Sequence, residues 1–259
     1  MKQKSSFQNT CLPAGREEYW LLKEKYHFLK DKHFQQDINR IRQGEPVDYV
    51  IGFKKFLGCI IDLSKRPLIP RAETEFWVKE AIAIIKQEKR KTIKVLDIFS
   101  GSGCIGIALI AKISNATVVF ADKSQNAIEQ IKINATINHL PQKKIKIVMS
   151  DVFNNVSGRF DYIFLNPPYI PVKNKKKVVA SVFSYEPKSA LFGGSDGLFY
   201  IKKFLSQAHH FLDKQGKIFM EFDPPQKPAI GKLVQKYGYH KTEFKKDQYN
   251  KWRWVIIHD

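Results

Sequence analysis

The feature that most constrains this chain is the alternation that sets in at Thr74. From there Trp77, Val78, Ala81, Ile82 and Ile85 form one stripe at helical spacing. Residues 93–99 then read as a buried strand, 104–113 as a helix and 116–121 as a second strand. Ser124 is a good N-cap for a helix running to about residue 138. Residues 144–149 and 160–165 read as strands three and four, with a long loop over 166–197. A helix over 198–212, a fifth strand over 217–222 and a helix over 226–237 follow. Residues 239–244 and 252–258 predict a terminal strand pair. Strands separated by helices of this length imply an α/β fold with a mostly parallel, doubly wound sheet. Ligands of such sheets sit beyond the carboxyl ends of the strands, where strand order reverses. Unusual residues should therefore follow strands one to four, and they do.

Before Thr74 the pattern differs. Residues 16–43 place Tyr19, Leu22, Tyr26 and Leu29 at helical spacing, which predicts one or two amphipathic helices. Residues 44–52 are expected to end the helix and start something extended, and 50–61 predict a short hairpin. A boundary near residues 66–71 separates a small N-terminal region, 1–66, from a large domain, 67–259.

Glycines mark the first loop. Ser100-Gly101-Ser102-Gly103 follows strand one and opens a helix, where a bare backbone approaches a ligand closely and free amides favour an anionic group. With Gly106 the spacing also satisfies the dinucleotide fingerprint, so this loop alone admits NAD, FAD or S-adenosylmethionine. Two acids shift the balance. Asp122, ending strand two, suits the hydroxyls of a ribose, although a helix N-terminus also favours an acid there. Asp151, after strand three, suits an adenine amino group or is a plain turn aspartate. Asp97 either orients the glycine loop or binds the amino group of a methionine moiety.

Asn166-Pro167-Pro168-Tyr169 after strand four is far more specific. Two prolines forfeit two backbone donors, so the turn needs a reason. A conjugated nitrogen, in an amide or an aromatic amine, attacks poorly because its lone pair is delocalised. The Asn166 carboxamide oxygen can accept one N–H and the Pro167 carbonyl the other, which turns the lone pair toward an electrophile. Each proline fixes its own φ and biases the preceding residue toward extended geometry, so the acceptors are aimed in advance. Tyr169 can stack on or wall off a planar group.

At this point the chain resembles the HemK/PrmC family, the release factor glutamine methyltransferases, over about residues 44–259. Gly44-Glu45-Pro46 with Tyr49 and Gly52 resembles the family's linker, and residues 68–75 its P-R-x-E-T-E signature. Residues 186–198 resemble its E-P-x-x-A-L-x-G-G-x-D-G-L stretch. The resemblance implies a Rossmann-like class I methyltransferase that uses S-adenosylmethionine to make N5-methylglutamine in the Gly-Gly-Gln motif of class I release factors. It implies Phe99, Ser100, Gly101, Ser102 and Gly103 for the methionine part, Asp122 for ribose, and Asp151 and Val152 around adenine. It implies Asn166 to Tyr169 for the substrate glutamine, with Asn166 also near the cofactor. The N-terminal region would dock the substrate. Phe99 stands where the family commonly has glycine, and Asn250 where it prefers glycine. No glycine precedes Gln226 in the usual place, and the region before Gly44 is shorter than the family's helical domain.

Asn-Pro-Pro-Tyr also serves enzymes that methylate adenine N6. The balance of 44 Lys and Arg against 25 Asp and Glu, a formal charge of +19, would suit phosphate contacts, as would the run at residues 173–177. No long target-recognition domain is visible to clamp a flipped base. Methylation of a ribosomal-protein glutamine is the other alternative, and direct nucleic-acid contact is secondary to the protein substrate. Cys11, Cys59 and Cys104 stand far apart, which argues against a zinc knuckle or disulfide framework and fits a reducing cytosol. No metal is expected, since no histidine falls in a ligand pattern. Residues 1–10 lack the apolar core of a signal peptide, and no apolar run approaches the ~20 residues that cross a bilayer. A cytoplasmic monomer is the expectation.

Overall fold

The computed structural model describes residues 14–258. Cys11 and the polar start of the chain lie outside the described residues. Three short helices come first: α1 (Ala14–Glu24), α2 (Phe34–Arg42) and α3 (Val47–Ile51). They share a small core of Leu21, Tyr26, Phe34, Ile38, Val47 and Val50. The expected helices are present, but only half of the stripe at residues 19, 22, 26 and 29 faces this core: Tyr26 is part of it and Leu22 packs against it, while Tyr19 and Leu29 do not. His27 and Phe28 adopt left-handed φ of 47° and 65°, which breaks the helical period after α1. Leu29, beyond the break, is 77% exposed; within α1 Tyr19 is 51% exposed while Leu21 is fully buried. The segment expected to be extended also contains a helical turn. Pro46 starts α3 and Gly52, at φ 96°, stops it.

The predicted hairpin is present as antiparallel β1 (Phe53–Phe56) and β2 (Cys59–Asp62). Leu57 and Gly58 turn it with φ of 49° and 81°, the sense that matches strand twist. Its Phe56, Cys59 and Ile61 pack into the core of the large sheet rather than that of α1–α3. Glu75 accepts the Leu57 N–H at 2.7 Å, which pins the turn to the following helix.

The remainder runs α4 (Ala72–Gln87), β3 (Ile93–Ile98), α5 (Cys104–Lys112), β4 (Ala116–Asp122), α6 (Gln125–Ile137), β5 (Ile145–Met149) and β6 (Phe160–Leu165). It continues with α7 (Ala180–Tyr185), α8 (Phe199–Leu205), β7 (Leu212–Glu221), α9 (Lys227–Lys236), β8 (Lys241–Lys246) and β9 (Trp252–His258). The seven-stranded sheet has the order β5-β4-β3-β6-β7-β9-β8. Its first five strands are parallel, and β9 is antiparallel to both neighbours. This is the doubly wound sheet with a terminal antiparallel pair that the alternation implied. Apolar clusters cover both faces, one around Trp77, Ile107, Phe120 and Phe164, the other around Ile163, Phe204, Phe222 and Ile230. Ser124 accepts the Ala127 N–H at 3.5 Å and caps α6.

Two boundaries differ from expectation. The helix predicted over 198–212 is α8 and a separate short turn, because Leu212 already pairs with Phe160 and starts β7 early. The predicted loop over 166–197 contains α7 and two short 3-10 turns. No helix among the described residues is long and apolar enough to cross a membrane.

Strand order reverses between β3 and β6. The loops leaving their carboxyl ends carry Phe99–Gly103 and Asn166–Tyr169, so the two sequence motifs emerge side by side.

Candidate active site

One open cleft of about 1000 Å³ is walled by Phe99, Ser100, Gly101, Ser102, Asp122 and Lys123 on the glycine-loop side. Gly101 and Gly103 turn the loop with φ of 55° and 78°. Asp122 holds it: one carboxylate oxygen accepts the Gly101 N–H and the other the Ser124 N–H, both at 2.9 Å. Burial raises its pKa, and those same amides oppose the rise. Gly106 does a different job. A Cβ there would meet the Phe120 ring at 2.3 Å, so it lets α5 lie close on β4.

Asp97 is buried behind the loop. One of its oxygens accepts the Gly106 N–H at 2.9 Å, while the other is buried without a partner among the described residues. Burial holds its pKa well above the usual carboxylate range, and the charge of Asp122 adds to the rise. Phe99 carries φ 58° at the position where glycine was expected, a geometry that costs an L-residue about 1–2 kcal/mol.

The structure gathers Phe99, Ser100, Gly101, Ser102, Asp122 and Asn166 around this cleft. Asp97, Gly103, Asp151 and Val152 are not among the residues that line it. Asp151 instead sits 2.5 Å from the Lys203 ammonium, and Val152 is buried with φ 56°.

A second cleft, of about 820 Å³, is lined by Asn166, Pro167 and Tyr169 together with Val178, Val182 and Leu191. Asn166 lines both clefts, as do Leu68, Arg71 and Ala190. The Asn166 amide donates to Thr74 Oγ1 at a long 3.4 Å. Among the described residues no donor reaches the Asn166 side-chain oxygen or the Pro167 carbonyl. Both acceptors named from the sequence are thus left unused by the fold.

The turn itself is rigidly backed. The Gln226 amide donates to the carbonyls of Tyr169 at 2.9 Å and Gly197 at 3.1 Å. Gly193 and Gly197 pass so close that an added Cβ would lie 2.3 Å from the Pro168 carbonyl and 2.2 Å from that of Tyr169. Those two glycines are therefore required by the backbone of the Asn-Pro-Pro-Tyr turn. Ile170 and Gly193 exchange a further backbone bond, Gly193 N–H to the Ile170 carbonyl at 3.0 Å.

Beneath the turn lies a buried carboxylate that motif reading did not single out. Glu221 accepts from Thr74 Oγ1 at 2.6 Å, Trp77 Nε1 at 2.7 Å and the Tyr169 hydroxyl at 3.1 Å. Burial raises its pKa, with Thr74 and the Arg253 charge opposing. Burial also pushes the Tyr169 hydroxyl well above its ordinary pKa, helped by the charge of Glu221. Arg253 lines the second cleft and donates to the buried Asp247 carboxylate at 3.0 Å. Asn250, between them, adopts φ 60°, the geometry that glycine would take freely. Arg71 donates to Glu186 at 2.6 Å, which also accepts the Ile69 N–H at 3.1 Å, so the two family-like segments at 68–75 and 186–198 are clasped together. Arg71 and Glu186 were visible through the short motifs that contain them, whereas Glu221 was not; the roles of all three needed the fold. No cluster of His, Cys, Asp and Glu suited to a metal occurs among the described residues.

Against known proteins, the family model described as Methyltransferase small domain matches residues 81–201. The release factor glutamine methyltransferase of Lactococcus lactis subsp. lactis is 33% identical over 234 residues, 88% of this chain and 84% of that protein. The protein of the same name from Streptococcus pneumoniae is 34% identical over 233 residues, 89% of this chain and 81% of its own length. Among solved structures, a methyltransferase from Pyrococcus furiosus superposes with a TM-score of 0.57 at 19% identity, over 87% of this chain and 98% of that one.

Proposed function

The chain belongs to the release factor glutamine methyltransferases, and from that premise we propose that it methylates the side-chain amide nitrogen of the Gly-Gly-Gln glutamine in a class I release factor. S-adenosylmethionine is the methyl donor. The observation that carries the reading is the place of Asn166: it stands in the wall of both clefts, on a turn whose two acceptors the fold leaves unused.

The residues of the first cleft fit that donor. A loop turned by Gly101 and Gly103 admits a ligand against its backbone, and Asp97, buried behind that loop rather than in the cleft wall, keeps one oxygen without a protein partner that would suit an ammonium group. Asp122 suits the ribose hydroxyls. Asp151 and Val152 stay in the proposal as residues near the adenine; Asp151 would have to share its carboxylate with Lys203. When bound, the donor supplies a methyl group on a sulfonium, which is already a good leaving group.

The chain's own residues do the rest on the acceptor. Asn166 and the Pro167 carbonyl each accept one hydrogen of the substrate amide, holding its plane so that the nitrogen lone pair faces the first cleft. Positive charge that builds on nitrogen is stabilised by the same two acceptors. Pro168 keeps the turn rigid, and Tyr169, tied to Glu221, walls the planar amide. The Glu221 carboxylate is buried and already accepts from Thr74, Trp77 and Tyr169, and burial keeps the Tyr169 hydroxyl well above its ordinary pKa, so neither is offered to the substrate as a free base. Rate therefore comes from alignment and exclusion of water rather than from proton abstraction before attack, and the surplus N–H proton is lost to solvent after the new N–C bond has formed and the sulfonium has become a thioether.

Labelled donor offered with a release factor, the same factor carrying Gly-Gly-Ala, a ribosomal protein and nucleic acid tests the assignment. Label is expected on the release factor alone and absent from the Gly-Gly-Ala form. Label on nucleic acid or on the ribosomal protein instead would overturn it.

A further inference from the structure

Phe99 is an expensive residue where it stands. Its φ of 58° lies in the region that glycine occupies freely, and it heads the loop of the first cleft. The side chain is not idle. Its ring meets Tyr200 edge to face, with centroids 5.6 Å apart and planes at 71°. Tyr200, from the first turn of α8, lines the same cleft. The Lys123 ammonium donates to the Tyr200 hydroxyl at 2.6 Å and lies 4.7 Å from the centre of its ring. Lys123 in turn follows Asp122 directly. A ring from the glycine loop, a ring from α8 and a cation beside Asp122 thus form a connected chain in the lining of the cleft.

Resting on the reading that this cleft holds S-adenosylmethionine, we propose that Phe99 and Tyr200 form an aromatic strut that recognises the nucleoside half of the cofactor. Two arguments select that half. Aromatic edges and faces complement a flat purine more fully than they do the carboxylate of an amino acid. The strut also ends at Lys123, adjacent to the carboxylate suited to ribose, while the orphaned Asp97 oxygen that suits the amino group lies elsewhere, behind the loop. Tyr200 follows the 193–197 segment that backs the Asn-Pro-Pro-Tyr turn, so the strut also ties the nucleoside position to the acceptor wall.

Calorimetric titration of the full chain with S-adenosylhomocysteine and with 5′-methylthioadenosine, which lacks the amino-acid end, tests this. Wild type binding neither ligand would sink the cofactor reading itself. Given wild-type binding, Phe99→Gly and Tyr200→Ala are each expected to weaken both ligands about tenfold, or ~1.4 kcal/mol. The double variant should be no more than about twofold worse than either single, because one strut is lost once. Phe99→Tyr, which keeps the ring, should restore affinity to within about threefold. Circular dichroism melts on each variant separate lost binding from lost folding. Equal affinity of Phe99→Gly and wild type for both ligands would overturn the proposal. So would a loss confined to S-adenosylhomocysteine, which would place Phe99 at the amino-acid end.

Discussion

The two clefts that share Asn166 are built by different means. The glycine-loop side is shaped by backbone: Gly101 and Gly103 turn the chain, and Asp122 clasps two of its amides. The other side is shaped by side chains from distant segments. Glu221 alone joins Thr74, Trp77 and Tyr169 across sequence separations of 147, 144 and 52 residues. A backbone site is set as soon as its strand and helix form. A side-chain site requires the whole sheet to be assembled with α4 packed across it. On the proposed function that difference is a division of labour, with the first cleft to bind the donor and the second to align the acceptor.

If that division holds, damage to the second cleft should strike turnover and spare cofactor affinity. The largest effect is expected from Asn166→Ala, which removes one of the two acceptors for the substrate amide. Turnover should fall about 10³-fold, ~4 kcal/mol, in the range of lost transition-state hydrogen bonds. Cofactor affinity by titration should stay within an order of magnitude. Turnover near wild type would break the comparison outright.

Glu221→Gln tests the layer beneath. An amide at that position sets N–H groups against at least one of the three donors that now point at a carboxylate. We expect kcat to fall about 30-fold, ~2 kcal/mol, with S-adenosylhomocysteine affinity within threefold of wild type. Equal losses in kcat and affinity would show that the two clefts are not separable.

These two residues also show where sequence reading stops. Asn166 was legible because two prolines pre-aim a turn within four consecutive residues, and the first loop was legible for the same local reason. Glu221 was not. It lies in an ordinary apolar strand, and its three partners come within hydrogen-bonding distance only when β7, β6 and α4 meet. Gly193 and Gly197 were visible as a motif, yet the reason for them is a carbonyl 2.3 or 2.2 Å from an absent Cβ. Among the elements, the sheet followed from apolar runs buried on both faces. Residues 47–51 did not, since Val-Asp-Tyr-Val-Ile has strand composition and is helical because Pro46 and Gly52 bracket it over the N-terminal core. The stripe at 19, 22, 26 and 29 held for Leu22 and Tyr26 but not for Leu29, because left-handed His27 and Phe28 break the helical period before it.

Damage to the first cleft should do the reverse. Asp122→Asn places an amide N–H against the N–H of Gly101 or Ser124 and removes the charge expected at the ribose. The dissociation constant for S-adenosylhomocysteine should rise about tenfold, ~1.4 kcal/mol, while kcat at saturating donor stays within about threefold. A fall in kcat with unchanged affinity would reverse the assigned roles.

The smallest effect comes from Asp97, and its sign is the informative part. Burial raises the folded-state pKa of this carboxyl above its unfolded value. The folded state therefore binds its proton more tightly, and the stability this gives is complete below the unfolded pKa. That contribution is lost as pH rises through the folded pKa, so the ligand-free protein carries a buried charge at the alkaline end. Asp97→Asn keeps an oxygen for the Gly106 N–H and removes the charge. Its ligand-free melting temperature should exceed that of wild type by about 3 °C at pH 8, ~1 kcal/mol for a chain of this size. The gap should narrow as pH falls toward 5. S-adenosylhomocysteine should at the same time protect the variant less than wild type, because the unpartnered carboxylate oxygen is the group proposed to receive the ligand's ammonium. A variant less stable than wild type at pH 8 would mean that the Asp97 charge supports the loop by itself, and the backbone-built cleft would then depend on a buried side chain as much as its neighbour does.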